Sequence, residues 1–117
     1  MFPSEHDEQV GFVNWFRGQF PGVLIFAVPN GGHRAISTGK AMKADGVVPG
    51  VPDLCIPAWG LWVEMKRVKG WKLSDDQMQI MGYLESIGQK VIVDIGATDA
   101  ARKVLAFKRD RQSTGAL

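Results

Sequence analysis

The chain has 117 residues, 45% of them hydrophobic and 22% charged, with a formal net charge of +2. That length fits one domain with one layered core, and the mild basicity permits nucleic-acid binding without arguing for it. The single cysteine, Cys55, excludes an internal disulfide and reads as a small core residue, as suits a reducing compartment.

The opening "MFPSEHDEQ" is acidic and has no signal-peptide pattern. Pro3-Ser4 followed by "EHDEQ" predicts a helix with Ser4 as N-cap and acids in its first turn. It should run to about Gln19 and bury Phe12, Val13, Phe16 and Phe20. "GVLIFAVP" predicts a strand of about six residues closed by Pro29. "NGG" is a turn, "HRAISTGKAMKADG" a helix weakened by Gly39, and "VVPGVP" a loop. "DLCIP" and "LWVEMKR" read as two strands joined by "AWG". "LSDDQMQIMGYLESIG" predicts a helix with Ser74 as N-cap and Gly88 as its stop. "KVIVDI" is a further strand, "TDAARKVLAFKRD" a last helix with Thr98 as N-cap, and the polar tail from about residue 109 is expected to fray. The order α-β-α-β-β-α-β-α implies an α/β domain, a mixed four-stranded sheet flanked by helices. No apolar run approaches the ~20 residues of a membrane span, so a soluble, cytoplasmic protein is expected.

The two central strands carry the functional signal. With the turn at Ala58-Trp59, Pro57 faces Gly60 and Asp53 faces Glu64. Opposed residues of an antiparallel pair share a face, and the two-residue period adds Lys66 to it while Val63 and Met65 point away. Two facing carboxylates repel unless a positive group lies between them. Lys66 is one such group and a divalent cation is another. Mg²⁺ takes one or two carboxylates and keeps water and phosphate oxygens. Asp53, Glu64 and the Met65 backbone carbonyl supply such a partial shell, and a lysine beside it can orient water and offset charge on a phosphoryl transition state. The plain alternative is a solvated salt-bridge triplet. Flanking helices and the proline-fixed turn in "GVPD" argue against a freely solvated face.

"PD", ten residues, then "EMK" has the form of the PD-(D/E)XK nuclease signature. With "NGGHR" at Asn30–Arg34, "KADGVVPGVPDL" at Lys43–Leu54, "WVEMKR" at Trp62–Arg67 and "LSDDQ" at Leu73–Gln77, the chain resembles the VRR-NUC family in its short stand-alone form of phages and bacteria. The resemblance spans about Glu5 to Leu105. It implies a restriction-endonuclease-like core and a Mg²⁺-dependent DNA phosphodiesterase, with Mn²⁺ as a substitute, leaving a 3′-hydroxyl and a 5′-phosphate. By the same resemblance Asp53 and Glu64 are metal-binding carboxylates, Lys66 is the catalytic lysine and Gln77 the site glutamine. The family also uses a first-helix glutamate, here Glu8 in preference to Glu5, as a metal ligand.

Gln77, Met81 and Leu84 follow helical spacing, which turns Gln77 toward the sheet. Arg34 stands in the family's "NGG-x-R" element as a phosphate contact or brace, and Lys40 and Lys43 can track a DNA backbone. His33, beside Arg34, reads as a surface turn residue. Stand-alone members resemble Holliday-junction resolvases, which implies a homodimer acting on branched DNA, though duplex DNA stays open. Trp15, Trp59, Trp62 and Trp71 are candidates for apolar contact, and Trp71, in the basic loop after "KRVKG", is alternatively a DNA contact. If the chain is phage-encoded, its compartment is the host cytoplasm.

One cysteine and two distant histidines make no zinc set, and neither His6 nor His33 sits in the context of a His-metal-finger nuclease. The serious competing function is a nuclease-like DNA-binding or interaction module without activity, and a small structural protein with an accidental motif is the third.

Overall fold

The computed structural model describes residues 3–29, 44–67 and 69–113. Helix α1 (Glu5–Gln19) begins where the sequence predicts: the Ser4 side chain accepts from the Asp7 N–H at 3.0 Å, and Glu5, Asp7 and Glu8 occupy the first turn. These acids complement the positive end of the helix dipole. Strand β1 (Phe26–Ala27) is shorter than the six residues expected from "GVLIFAVP". Only these two residues pair regularly with β2 (Leu54–Ile56), as Phe26 with Cys55 and Ala27 with Leu54. The predicted helix over "HRAISTGKAMKADG", with Arg34, Lys40 and Lys43, lies outside the described residues but for its last three, Ala44, Asp45 and Gly46.

Between β2 and β3 (Leu61–Lys66) the chain turns through a short 3-10 helix, Pro57–Trp59, rather than a two-residue turn. Gly60 then takes the left-handed region at φ 58° to re-enter the sheet. The register is the expected one: Leu54 opposes Val63, Cys55 opposes Trp62, and Ile56 opposes Leu61. Strand β4 (Lys90–Ile95) lies parallel to β3, so the sheet is mixed, in the order β1-β2-β3-β4. A parallel pair needs a crossover, and helix α2 (Asp75–Ser86) supplies it. Helix α3 (Ala97–Ser113) closes the described chain. It starts one residue before the expected cap Thr98, and it continues regularly past residue 109.

Strand alternation sorts the sheet into two faces. Val63 and Met65 point into the apolar core with Phe12, Phe16, Ile92, Ala100 and Val104, so α1 and α3 cover that face. Trp59 caps the core at 5.4 Å from the Phe16 ring and 5.0 Å from the Phe20 ring. Fully burying each such side chain stabilises the fold by roughly 1.5–3 kcal/mol. Glu64 and Lys66 take the other face, under α2. No described helix is long and apolar enough to cross a membrane.

Candidate active site

Glu64 and Lys66 are the anomaly of the fold. They sit on a central strand only 3% and 8% exposed. Burying an ion costs several kcal/mol even after relaxation, so apolar side chains would serve stability better here. Their partners come from two neighbouring elements.

The first is the start of β2. Asp53 is fixed twice: its backbone carbonyl accepts from the Val28 N–H at 2.8 Å, and its Oδ2 accepts from the Met65 N–H at 2.8 Å. Pro52, fully buried, precedes it. A strand residue that bonds sideways turns its N–H and C=O to the same side. The Met65 carbonyl therefore lies along the same edge of β3 as the Asp53 carboxylate. Asp53 and Glu64 are close enough to share a hydrogen bond.

The second is the first turn of α2. Ser74 and Gln77 form a reciprocal cap: the Gln77 N–H donates to Ser74 Oγ at 3.1 Å, and the Ser74 N–H donates to Gln77 Oε1 at 2.9 Å. The same Oε1 accepts from Lys66 Nζ at 3.0 Å, while Gln77 Nε2 donates to Glu64 Oε2 at 3.0 Å. Lys66 Nζ lies 3.4 Å from that Glu64 oxygen. Two donors on one side and a carboxylate on the other leave a single orientation for the amide. A helix cap thus doubles as the clamp between a buried acid and a buried base.

Gly50 brings these two elements together. It lies at φ 89°, and a Cβ there would overlap the Asp76 carbonyl and come within 2.8 Å of the Gln77 nitrogen. The loop leading to Asp53 can press on the first turn of α2 only because this residue has no side chain.

Burial pushes the Glu64 carboxyl up from 4.5 to about 7, the neighbouring Asp53 charge adds to the rise, and Lys66 works against it. Glu64 therefore holds a proton at mildly acidic pH where an ordinary glutamate has lost it. A cation between the two carboxylates would take over the role of that proton. Among the described residues no three His, Cys, Asp or Glu side chains gather as a metal-binding set. The fit is to a hard cation taking two carboxylates and a carbonyl, with water and substrate completing its shell.

Glu8 reaches the end of β4 from α1. It accepts from the Ala97 N–H and so caps the start of α3. One residue back in the chain, the Gly96 N–H donates to the Lys66 carbonyl at 3.1 Å, so Glu8 braces the end of β3 through backbone. Arg34, Lys40 and Lys43 lie outside the described residues.

Asp94 is a further buried acid. It is on the core face of β4, 0% exposed, and neither side-chain oxygen has a hydrogen-bond partner among the described residues. Burial raises its carboxyl to about 8, the nearby Asp99 charge adds to this, and Lys103 opposes it. Asp94 is thus an uncharged acid at neutral pH. The signal was an aspartate in "KVIVDI" at the same parity as the buried Ile92.

No protein-family model matches the sequence, and no curated protein matches it. Among solved structures, one described as a "VRR_NUC domain protein" superposes with a TM-score of 0.76 at 22% sequence identity, over 92% of this chain and 89% of that one. The chain has that fold, an α/β mixed sheet with flanking helices.

Proposed function

We propose that this chain is a VRR-NUC-type endonuclease that hydrolyses DNA phosphodiesters with a divalent metal. The observation behind this reading is the convergence of Asp53, Glu64, Lys66 and Gln77 on one buried spot of a nuclease-like fold. Two acids and a lysine, buried where hydrophobic residues would be more stable, favour a functional role over a structural one.

Asp53, Glu64 and the Met65 carbonyl are the groups to hold Mg²⁺, with Mn²⁺ as a substitute. When bound, the metal polarises the scissile phosphate and lowers the pKa of a water. The chain's own part is positioning and proton control. Glu64 gives up its proton before it can act as a ligand, so metal binding weakens as pH falls. Lys66 orients the attacking water and offsets the charge that builds on the phosphate. Gln77 fixes Lys66 by accepting from its ammonium group. The products are a 3′-hydroxyl and a 5′-phosphate.

The finer reading is a homodimer selective for branched DNA, because a four-way junction presents two symmetric cuts and each chain carries one site. The test is to incubate the protein with supercoiled plasmid and a synthetic four-way junction in Mg²⁺, Mn²⁺ or EDTA, beside Lys66→Ala. Metal-dependent cutting that the variant loses supports the nuclease, and paired symmetric cuts support the resolving dimer. Folded protein that binds either DNA and cuts neither with any metal points instead to an inactive binding module.

A further inference from the structure

The loop between β3 and α2 has both ends in the site. It leaves Lys66 and re-enters structure at Ser74, whose N–H shares the Gln77 carbonyl oxygen with the Lys66 ammonium. Between them lie Arg67, Lys69, Gly70, Trp71 and Lys72, all exposed. A loop held this way lies at the lip of the site.

Trp71 differs from the other tryptophans of the chain. Trp15 stacks on Phe12 at 5.9 Å, Trp59 lies between Phe16, Phe20 and the Lys108 ammonium, and the Trp62 indole N–H donates to Gln89. Trp71 has no ring contact and no side-chain hydrogen bond with any described residue, and it is 42% exposed. An indole exposed to this extent forgoes much of the burial gain that a tryptophan offers.

The cations of this loop likewise have no ion-pair partner: among the described residues no carboxylate pairs with Arg67, Lys69 or Lys72. Elsewhere cations have found partners: Arg102 and Lys103 pair with Asp99, and Lys108 and Arg111 lie over the rings of Trp59 and Phe107. The Arg67 guanidinium reaches back over Gly70, 3.8 Å from where a Cβ would stand.

A partly exposed indole in a loop of cations that no described carboxylate pairs fits a ligand with flat aromatic faces and regularly spaced negative charge, which is a nucleic-acid strand. The ring selects further. Inside a duplex each base face is covered by its neighbours, so Trp71 can stack only on a base that is unpaired or splayed. We infer that Trp71 is a stacking platform for an unpaired base next to the scissile phosphate, with Arg67, Lys69 and Lys72 holding the flanking phosphates. This rests on the nuclease reading and deepens it: the preferred substrate carries unpaired bases at the cut, as flaps, gaps and branch points do.

The test is binding in EDTA, where no metal-dependent cutting occurs, followed separately by cutting in Mg²⁺. Labelled single-stranded, flap and fully paired oligonucleotides of equal length are titrated by fluorescence anisotropy with wild type, Trp71→Ala and Trp71→Phe. Stacking one base on an aromatic ring predicts that Trp71→Ala weakens binding of single-stranded and flap DNA about tenfold and of duplex less than threefold, with Trp71→Phe retaining most of the affinity. Tryptophan emission should be quenched by single-stranded DNA in wild type and not in Trp71→Phe. Lys72→Ala should weaken all three DNAs alike and lower the salt-dependence slope by about one. Equal losses on paired and unpaired DNA in Trp71→Ala, or none, overturn the platform. If wild type cuts DNA while those binding results hold equal, the platform alone fails. If wild type binds unpaired DNA through Trp71 yet cuts nothing in Mg²⁺ or Mn²⁺, the platform stands and the nuclease reading fails.

Discussion

Gln77 belongs at once to a helix cap and to the site, and a pair of substitutions separates the two roles. Ser74→Ala removes the acceptor of the Gln77 N–H on an exposed helix start and leaves the Gln77 side chain in place. The usual cost of losing such a cap is about 1 kcal/mol. Gln77→Ala removes three side-chain bonds, to the Ser74 N–H, to Lys66 and to Glu64. Bonds to charged groups contribute roughly 1.5–3 kcal/mol each and the neutral one about 1. Lys66 and Glu64 keep each other at 3.4 Å, and the half-buried position of Gln77 admits water, so the low end applies. A total of about 4 kcal/mol follows from that range. Activity should separate further than stability. Without Gln77 the Lys66 ammonium loses its anchor, and misplacing a catalytic group by about 1 Å costs on the order of 100-fold. The assay is denaturant unfolding beside initial rates on the preferred DNA at a temperature where both variants are folded. Gln77→Ala should lose about 100-fold in kcat, and Ser74→Ala only a few-fold. Equal loss of rate in both would mean that the network serves only to start the helix, and the clamp would be refuted.

Gly50→Ala should destabilise the fold by on the order of 2–4 kcal/mol, because it adds a backbone overlap with Asp76 to the left-handed strain at φ 89°; a melting temperature within a degree or two of wild type would refute the close approach. Glu64 predicts a pH dependence with a definite sign. Its folded pKa, about 7, lies above its ordinary 4.5, so the unfolded chain binds fewer protons in between and stability falls as pH rises through that window. A cation replaces the lost proton, so the rise in Tm on adding Mg²⁺ should be small at pH 5.5 and large at pH 8; equal rises at both would count against Glu64 as a ligand. Asp94, with its carboxyl at about 8, imposes a loss of the same sign between its ordinary 3.8 and that value. Asp94→Asn cannot ionise, so it should gain stability relative to wild type as pH climbs from 5 to 8, and parallel pH–stability curves would show that Asp94 does not titrate there.

The parts of the site legible in the sequence were those set by local periodicity. Pairing across a short turn fixes which residues share a face, and the opposition of Leu54 to Val63 extends to Asp53 and Glu64 without any knowledge of the rest of the chain. The stripe of Gln77, Met81 and Leu84 turned that glutamine inward for the same reason. Non-local contacts were not legible. The shortness of β1, the inward start of α3 and the capping of Ala97 by Glu8 depend on how distant segments meet, and Gly96 with Glu8 took the role that Thr98 would have filled by propensity. Asp94 was hidden differently. In a strand an isolated acid usually marks the solvated face, and only the covering of β4 by α3 makes it a buried one.

The arrangement also explains why the site can be built in so short a chain. Buried ionic groups need several hydrogen bonds each, and a small domain has few elements to donate them. Here the donors already exist for structural reasons. The Met65 N–H that bonds Asp53 is a strand amide left open where β2 ends, and the Gln77 amide that bonds Glu64 and Lys66 is part of a helix cap. The first is a backbone group that a strand end must satisfy somewhere, and the second is a side chain that satisfies such a group, the Ser74 N–H, at a helix start. Aiming the two ends at one spot lets the same bonds start α2, stop the β2–β3 ladder and hold two acids and a lysine out of water. The consequence is coupling. A substitution at Gly50, distant in sequence from α2, moves the loop that carries Asp53 against the turn that carries Gln77, and so should disturb the acid pair and the lysine clamp together.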